Sequence, residues 1–485
     1  MKVRLNLVVG GSILDKAILE RVLEEALKKG GDFAEIYIEE KQLSNVFCED
    51  NRIEKVNSGR EKGAGIRVVK DGKTAYVYTT DLSEEGLLKA AGVARHASAN
   101  GKETSPIALS PKQPAFTISC KRLPDTVSFD EKIENVLAAN KSARDVSEEI
   151  RQVTVAAGDL HKKVIIANSD GELAEDERTR IRVIVSTVAA RDGIIQTGYE
   201  SAGGVCGWEL LEEIAFEDMA EKAARLAVNM LSARPAPAGR MPVVMSCEAG
   251  GTMVHEACGH GLEADLVQKG LSVYKDKIGE KVAAEGVSVI DDATLDGKYG
   301  TFRFDDEGNY GQRTVLIKDG VLQQYMYNRL TAIKDSRDST GNGRRDSYQD
   351  KPIPRMSNTF IASGRDDPET IIKSTPSGLL VKKMGGGQVN TTNGDFVFDV
   401  QEAYMIEDGE VTYPVRGATL TGNGPMVLNG IDMVGTDLGF SIGVCGKDGQ
   451  GVPVSDAQPT IRIKELTVGG TAPTGGPAKR RIRRV

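Results

Sequence analysis

From Ser12 the run SILDKAILERVLEEALKKGG carries apolar residues at helical spacing, and Gly30-Gly31 supplies a stop, so a first amphipathic helix is predicted here. The next run, DFAEIYIEE, alternates at period two and predicts a strand. In GIRVVKDGKTAYVYT, Asp71-Gly72 separates two β-like runs and predicts a tight hairpin. The SFDE stretch from Ser128 to Glu131 reads as a capping box that opens a second long helix reaching about Ile150. Turn residues at 169–171 and 191–193 predict two more hairpins, and a helix from about Glu217 to Leu231 closes this half.

The segment SARPAPAGRMP is rich in Pro, Ala and Gly and reads as a linker. Residues 1–231 are therefore expected to form an N-terminal α/β domain, with 232–242 as the linker. Beyond it the texture changes to short alternating runs punctuated by glycine. YGTFRFDDEGNYGQRTVLIKDGVLQQYMYN, GDFVFDVQEAYMIEDGEVTYPV and PTIRIKELTVGG predict an antiparallel, barrel- or sandwich-like β-rich domain over 243–471. The fold class expected is α+β. Residues 472–485 form a basic tail, expected to be solvated.

Composition narrows the setting. The chain has 485 residues, enough for two or three domains, and 54 glycines, well above the usual share of about 7%, which suits many turns and short strands. A net charge of −8 argues against a nucleic-acid-binding surface spread over the protein. Six cysteines are scattered without CxxC pairs, so neither a disulfide framework nor a zinc ribbon is indicated, and a reducing compartment fits. The apolar run near the N-terminus is too short for a signal segment or a membrane span, so a cytoplasmic protein without membrane attachment is expected.

The chemistry concentrates in VHEACGHGLEAD, Val254 to Asp265, which holds two of the four histidines. Helical zinc-peptidase motifs space their histidines by four, and here the spacing is five. On a straight helix, residues five apart diverge by about 140°, so His255 and His260 would not converge. A π-bulge or a helix end near Gly259 would bring His260 back round, which predicts a distorted helix through Cys258 to Gly261. Two imidazoles and one further ligand would make a catalytic zinc site, with Glu256 placed to act as the base. For the third ligand Cys258, Glu263 and the distant Cys445 all stand open, and spacing does not choose among them.

Four separated blocks then add a resemblance. HEACGHGLEAD, TGNGRRDSY with PRMSNTFI, GGGQVNTTNGDFVF, and GVCGKDGQGVPVSDAQPTIRIKELTVGGT resemble, in that order, the TldD branch of the TldD/PmbA metallopeptidase family over about residues 245–471. The family pattern is HExxxH with a distant cysteine. The resemblance implies His255, His260 and Cys445 as ligands of one Zn2+ per chain, Glu256 as catalytic base, and Cys258 as a packing residue. Within the matching blocks, Glu263 and Asp265 are candidates to accept the free ring N–H of a ligand histidine. Gly385, Gly386 and Gly387 are candidates for a flat edge where a peptide backbone pairs as an added strand. Arg344, beside Asn342 and Arg345, is a candidate clamp for a substrate carboxylate.

The expected activity is zinc-dependent hydrolysis of peptides or unfolded protein segments, with a homodimer, or a heterodimer with a PmbA/TldE-like subunit, as the assembly the resemblance implies. The competing reading is a non-catalytic interaction subunit, as in the metal-free branch of the family.

Overall fold

The computed structural model describes residues 6–9, 12–98 and 106–472. The basic tail lies outside them from residue 473. The first helix, α1 (Lys16–Leu27), starts where the Asp15 side chain accepts from the Ala17 N–H. Residues Ser12–Asp15, which the apolar spacing put inside this helix, instead pair as a short strand with Asn6–Val9. There follow β1 (Phe33–Glu49), β2 (Arg52–Lys70), β3 (Lys73–Thr79), α2 (Glu84–Ala94), α3 (Phe129–Asp145), β4 (Ile150–Asn168), β5 (Glu172–Arg191), β6 (Ile194–Gly204) and α4 (Phe216–Leu231). Ser128 caps α3, accepting from the Glu131 N–H at 3.2 Å, but the Glu131 carboxylate accepts from Arg122 instead of closing the expected capping box; the helix ends at Asp145 and the chain turns into β4 at Ile150.

The strands form one long antiparallel sheet in the order β3-β2-β1-β4-β5, with β6 outside β5. Its hairpins use the expected turns: Asp71-Gly72 has φ of 49° and 71°, and Asp192-Gly193 has φ of 51° and 79°. Two successive left-handed residues match the right-handed twist of the strands they join. Helices α1 and α2 cover one stretch of the sheet through Leu19, Val22 and Leu87 against Ile36, Ile38 and Ile66. Helices α3 and α4 cover another through Val136, Ala139 and Ala223 against Val155, Val183 and Val185.

Beneath α3 the sheet buries a charge. Lys132 Nζ donates to Asp159 Oδ2 at 2.6 Å and to Ser44 Oγ at 2.8 Å, and the Trp208 indole donates to the same carboxylate oxygen at 3.1 Å. Removing one member of a buried pair leaves the other uncompensated, at about 3–5 kcal/mol. Asp159→Asn should therefore lower the denaturant midpoint of the protein markedly, and a midpoint equal to the parent's would show that Lys132 is not held by this contact.

The C-terminal half supplies β7 (Gly239–Met245), β8 (Val289–Asp292), β9 (Asn358–Ile361), β10 (Ser377–Val389), β11 (Asp395–Glu407), β12 (Thr419–Asn423), β13 (Gly439–Lys447), β14 (Gln450–Gln458) and β15 (Ile461–Gly469). Strands β7, β10, β11, β12 and β15 close on themselves as a five-stranded barrel, since β15 pairs back to β7. The expected α+β class with a barrel-like second half is thus what the chain adopts. The apolar cluster that joins the barrel's Val243, Phe398 and Ile463 also takes in Met253, Val254 and Cys258, which seats the histidine-bearing turn on the barrel. A second sheet runs β8-β9-β14-β13, leaving β13 at its edge.

One predicted β stretch differs. Between 299 and 328 only Arg313–Lys318 and Val321–Leu322 are strands in the described structure. Residues 305–307 are instead buried acids that reach the N-terminal sheet: Arg178 donates to Asp306 at 2.8 Å, and Arg67 to Glu307 at 2.7 Å. Alternation there serves an ion-paired seam rather than a sheet face.

Candidate metal centre

The histidines sit on three successive short turns. Thr252–Val254 is α-helical, His255–Gly259 is a π-turn and His260–Leu262 is a 3-10 turn. The His260 N–H bonds to the His255 carbonyl, so the wider π-turn brings residues five apart onto one face. The two rings lie 4.9 Å apart, nearly perpendicular at 87°. The expected distortion is present and begins earlier than predicted, at His255. Gly259 permits it: a Cβ there would stand 2.3 Å from Met356 Sδ.

Cys445 comes from the edge strand β13. Its Sγ lies 3.4 Å from His260 Nε2, and one ligand atom from each of His255, His260 and Cys445 lies within 4.8 Å of the others. Cys258 points elsewhere; it is fully buried in the apolar cluster, its Sγ donates to the Val254 carbonyl, and burial pushes its thiol up to about 12. Each histidine is backed by a carboxylate. His255 Nδ1 lies 2.7 Å from Asp456 Oδ1, and His260 Nδ1 lies 3.0 Å from Glu263 Oε2. Two imidazoles held from behind by carboxylates, together with a sulfur, are the donor set and support that a borderline-soft divalent ion such as zinc uses. The residues therefore fit a metal.

The electrostatics agree with this pairing. Burial acts to raise the Cys445 thiol, but hydrogen bonds and charge from both imidazoles bring it down to about 5. Burial acts to lower His260, and Glu263 and Cys445 override it, raising the ring to about 9. His255 is raised well above its ordinary value against burial, chiefly by Asp456. Glu256 is not among the converging ligands; burial raises its carboxyl above the usual range, with the two histidines opposing.

The group opens on a cleft of about 1230 Å³ lined by His255, Glu256, His260 and Cys445, by Lys383–Val389 of β10, by β13, and by Tyr199 and Glu200 of β6. Gly385, Gly386 and Gly387 all lie on this wall. Strand β10 pairs with β7 only as far as Val381, so its later edge is free of β7 where the glycines stand.

Two sequence expectations need correction. Arg344 does not line the cleft: it is only 3% exposed, and its guanidinium donates to the Met356 carbonyl and, at 2.7 Å, to the Pro453 carbonyl. Asp265 accepts from Lys447 at 2.6 Å rather than from a ligand histidine. Asp456 takes that role for His255. Local spacing gives it no signal, because 201 residues separate it from His255.

Comparison with known proteins shows the same assembly. The PmbA/TldA metallopeptidase C-terminal domain matches residues 238–470, the central domain 122–231, and domain 1 residues 34–98. The metalloprotease TldD homolog of Haemophilus influenzae is 35% identical over 475 residues, covering 96% of this chain and 98% of that protein. A metalloprotease of Methanothermobacter thermautotrophicus is 36% identical over 440 residues, covering 91% and 96%. The solved structure of TldE from Thermococcus kodakarensis shares the fold with a TM-score of 0.75 at 19% identity, covering 93% of this chain and all of that one. A barrel that seats a histidine-bearing turn at an open cleft, in a chain so closely related to metalloproteases, defines a metallopeptidase. The chain belongs to the PmbA/TldD metallopeptidase family.

Proposed function

We propose that this metallopeptidase is a zinc enzyme that hydrolyses peptides or unfolded protein segments lying extended in the cleft. His255, His260 and Cys445 hold the ion, each imidazole through the nitrogen turned away from its carboxylate. When bound, such an ion supplies Lewis acidity that polarises a peptide carbonyl and makes water a better nucleophile at neutral pH. Asp456 and Glu263 hold the Nδ1 protons and so fix which nitrogen each ring offers. The Glu256 carboxylate takes the proton of the attacking water and returns it to the leaving amine nitrogen. Burial raises the Glu256 pKa, which favours its holding the proton between the two transfers. The free edge of β10 and the outer edge of β13 both face the cleft and offer backbone groups to an extended chain, a mode that asks little of substrate side chains.

The observation that carries this reading is the convergence of two imidazoles from one turn with a thiol from a remote strand, beside the half-buried Glu256. The shared fold with a solved TldE supports a TldE-like subunit as partner, with a homodimer as the alternative. Among the described residues no helix is long and apolar enough to cross a membrane. Treating the purified protein with phenanthroline should abolish hydrolysis of an unstructured peptide, and zinc should restore it. Hydrolysis that persists in the chelator would overturn the metal dependence.

A further inference from the structure

The metal centre needs Cys445 to stay beside His260, yet 185 residues separate the two, and β13 is an outer strand paired only with β14 among the described residues. Something besides strand pairing must hold this edge against the histidine-bearing turn. Lys447 is two residues beyond Cys445, and the period of a strand turns both side chains to the same face. Its side chain is only 7% exposed; the ammonium donates to Asp265 Oδ1 at 2.6 Å and to the Pro354 carbonyl at 3.0 Å, and forms an ion pair with Glu263 Oε2 at 3.1 Å. Two hydrogen bonds and an ion pair from one buried ammonium hold its position.

Glu263 is the connecting group. The oxygen that meets Lys447 is the one that meets His260 Nδ1. Its other oxygen, Oε1, faces Arg355 Nε at 3.9 Å, and neither atom has a hydrogen-bond partner. Arg355 in turn donates to the Cys445 carbonyl and, at 3.1 Å, to the Gln450 carbonyl. Two buried cations and two carboxylates thus clasp the strand that carries Cys445 to the turn that carries His260.

We propose that Lys447 is a positioning residue for the metal centre: it ties β13 to Glu263 and Asp265, and thereby sets both the orientation of His260 and the approach of the Cys445 sulfur. This rests on the metal-centre reading above. Lysine is suited to the task because its compact ammonium meets three oxygens from three separate residues. The planar fork of arginine would not reproduce them.

The test uses the full chain, metal-free and then titrated with zinc and with cobalt. Lys447→Met leaves two buried carboxylates facing each other, so Lys447→Met/Asp265→Asn is made beside it to keep the charge balanced, and Lys447→Arg keeps the charge but not the geometry. Zinc affinity is expected to fall about 10–100-fold in the double variant and in Lys447→Arg. The cobalt–thiolate absorption band should weaken in both, while their metal-free circular dichroism and melting temperature stay near the parent's. A merely structural lysine would change the melting temperature and leave the band of folded protein intact. Parental zinc affinity with a full cobalt–thiolate band in either variant overturns the proposal. If the parent binds neither ion, or if its cobalt band survives Cys445→Ala, it is the ligand assignment that fails.

Discussion

Glu256→Gln should retain about one zinc per chain while hydrolysis of an unstructured peptide falls by about 10²–10⁴-fold, the usual contribution of a general base. The substitution changes neither side-chain size nor the converging donor set, because Glu256 is not one of the three groups that meet. It removes only the capacity to accept and return a proton. The two carboxylates paired with the ligand histidines, Asp456 and Glu263, are already committed to ring nitrogens. Metal analysis and single-turnover hydrolysis on the same sample decide it. Unchanged turnover in the zinc-loaded variant would remove Glu256 as the base.

Cys445→Ala should yield protein that no longer retains zinc through gel filtration and has no measurable turnover, whereas Cys258→Ala should retain both ion and activity. The contrast follows from environment. The Cys445 thiol is drawn down to about 5 by two imidazoles and is ready to ligate as thiolate. The Cys258 thiol is pushed to about 12 inside an apolar cluster and behaves as a small hydrophobe. Removing Cys258 Sγ makes a small void and is expected to cost stability alone. Zinc retained in Cys445→Ala and lost in Cys258→Ala would reverse the ligand assignment.

What the string revealed in advance was what short-range chemistry controls. The Asp71-Gly72 and Asp192-Gly193 turns, the Ser128 cap and the helix ending at Leu231 rest on residues within a few positions of one another. The distorted turn was legible for the same reason, since a five-residue spacing with glycine beside it can converge in few ways, although it starts at His255 rather than near Cys258. Arg344 and Asp456 were not legible, because their surroundings are assembled from distant strands. Arg344 reads as a free cation in TGNGRRDS and becomes a buried strut between two carbonyls only when β14 packs against it. The acids at 305–307 lie in a run that reads as β strand, and only the arginines of the N-terminal sheet reveal them as a seam. Cys445 occupies a middle position: nothing local distinguished it from Cys258, and resemblance across four blocks supplied the ranking.

The order in which the site's parts are made has a consequence for the cell. His255, Glu256 and His260 leave the ribosome long before Cys445, and Asp456 follows later still. On the reading proposed above, a chain interrupted anywhere before its last sheet strands is an inert polypeptide, unable to cut its neighbours. Proteolytic competence would arrive only once Cys445 and Asp456 have been made, however early the histidine-bearing turn folds.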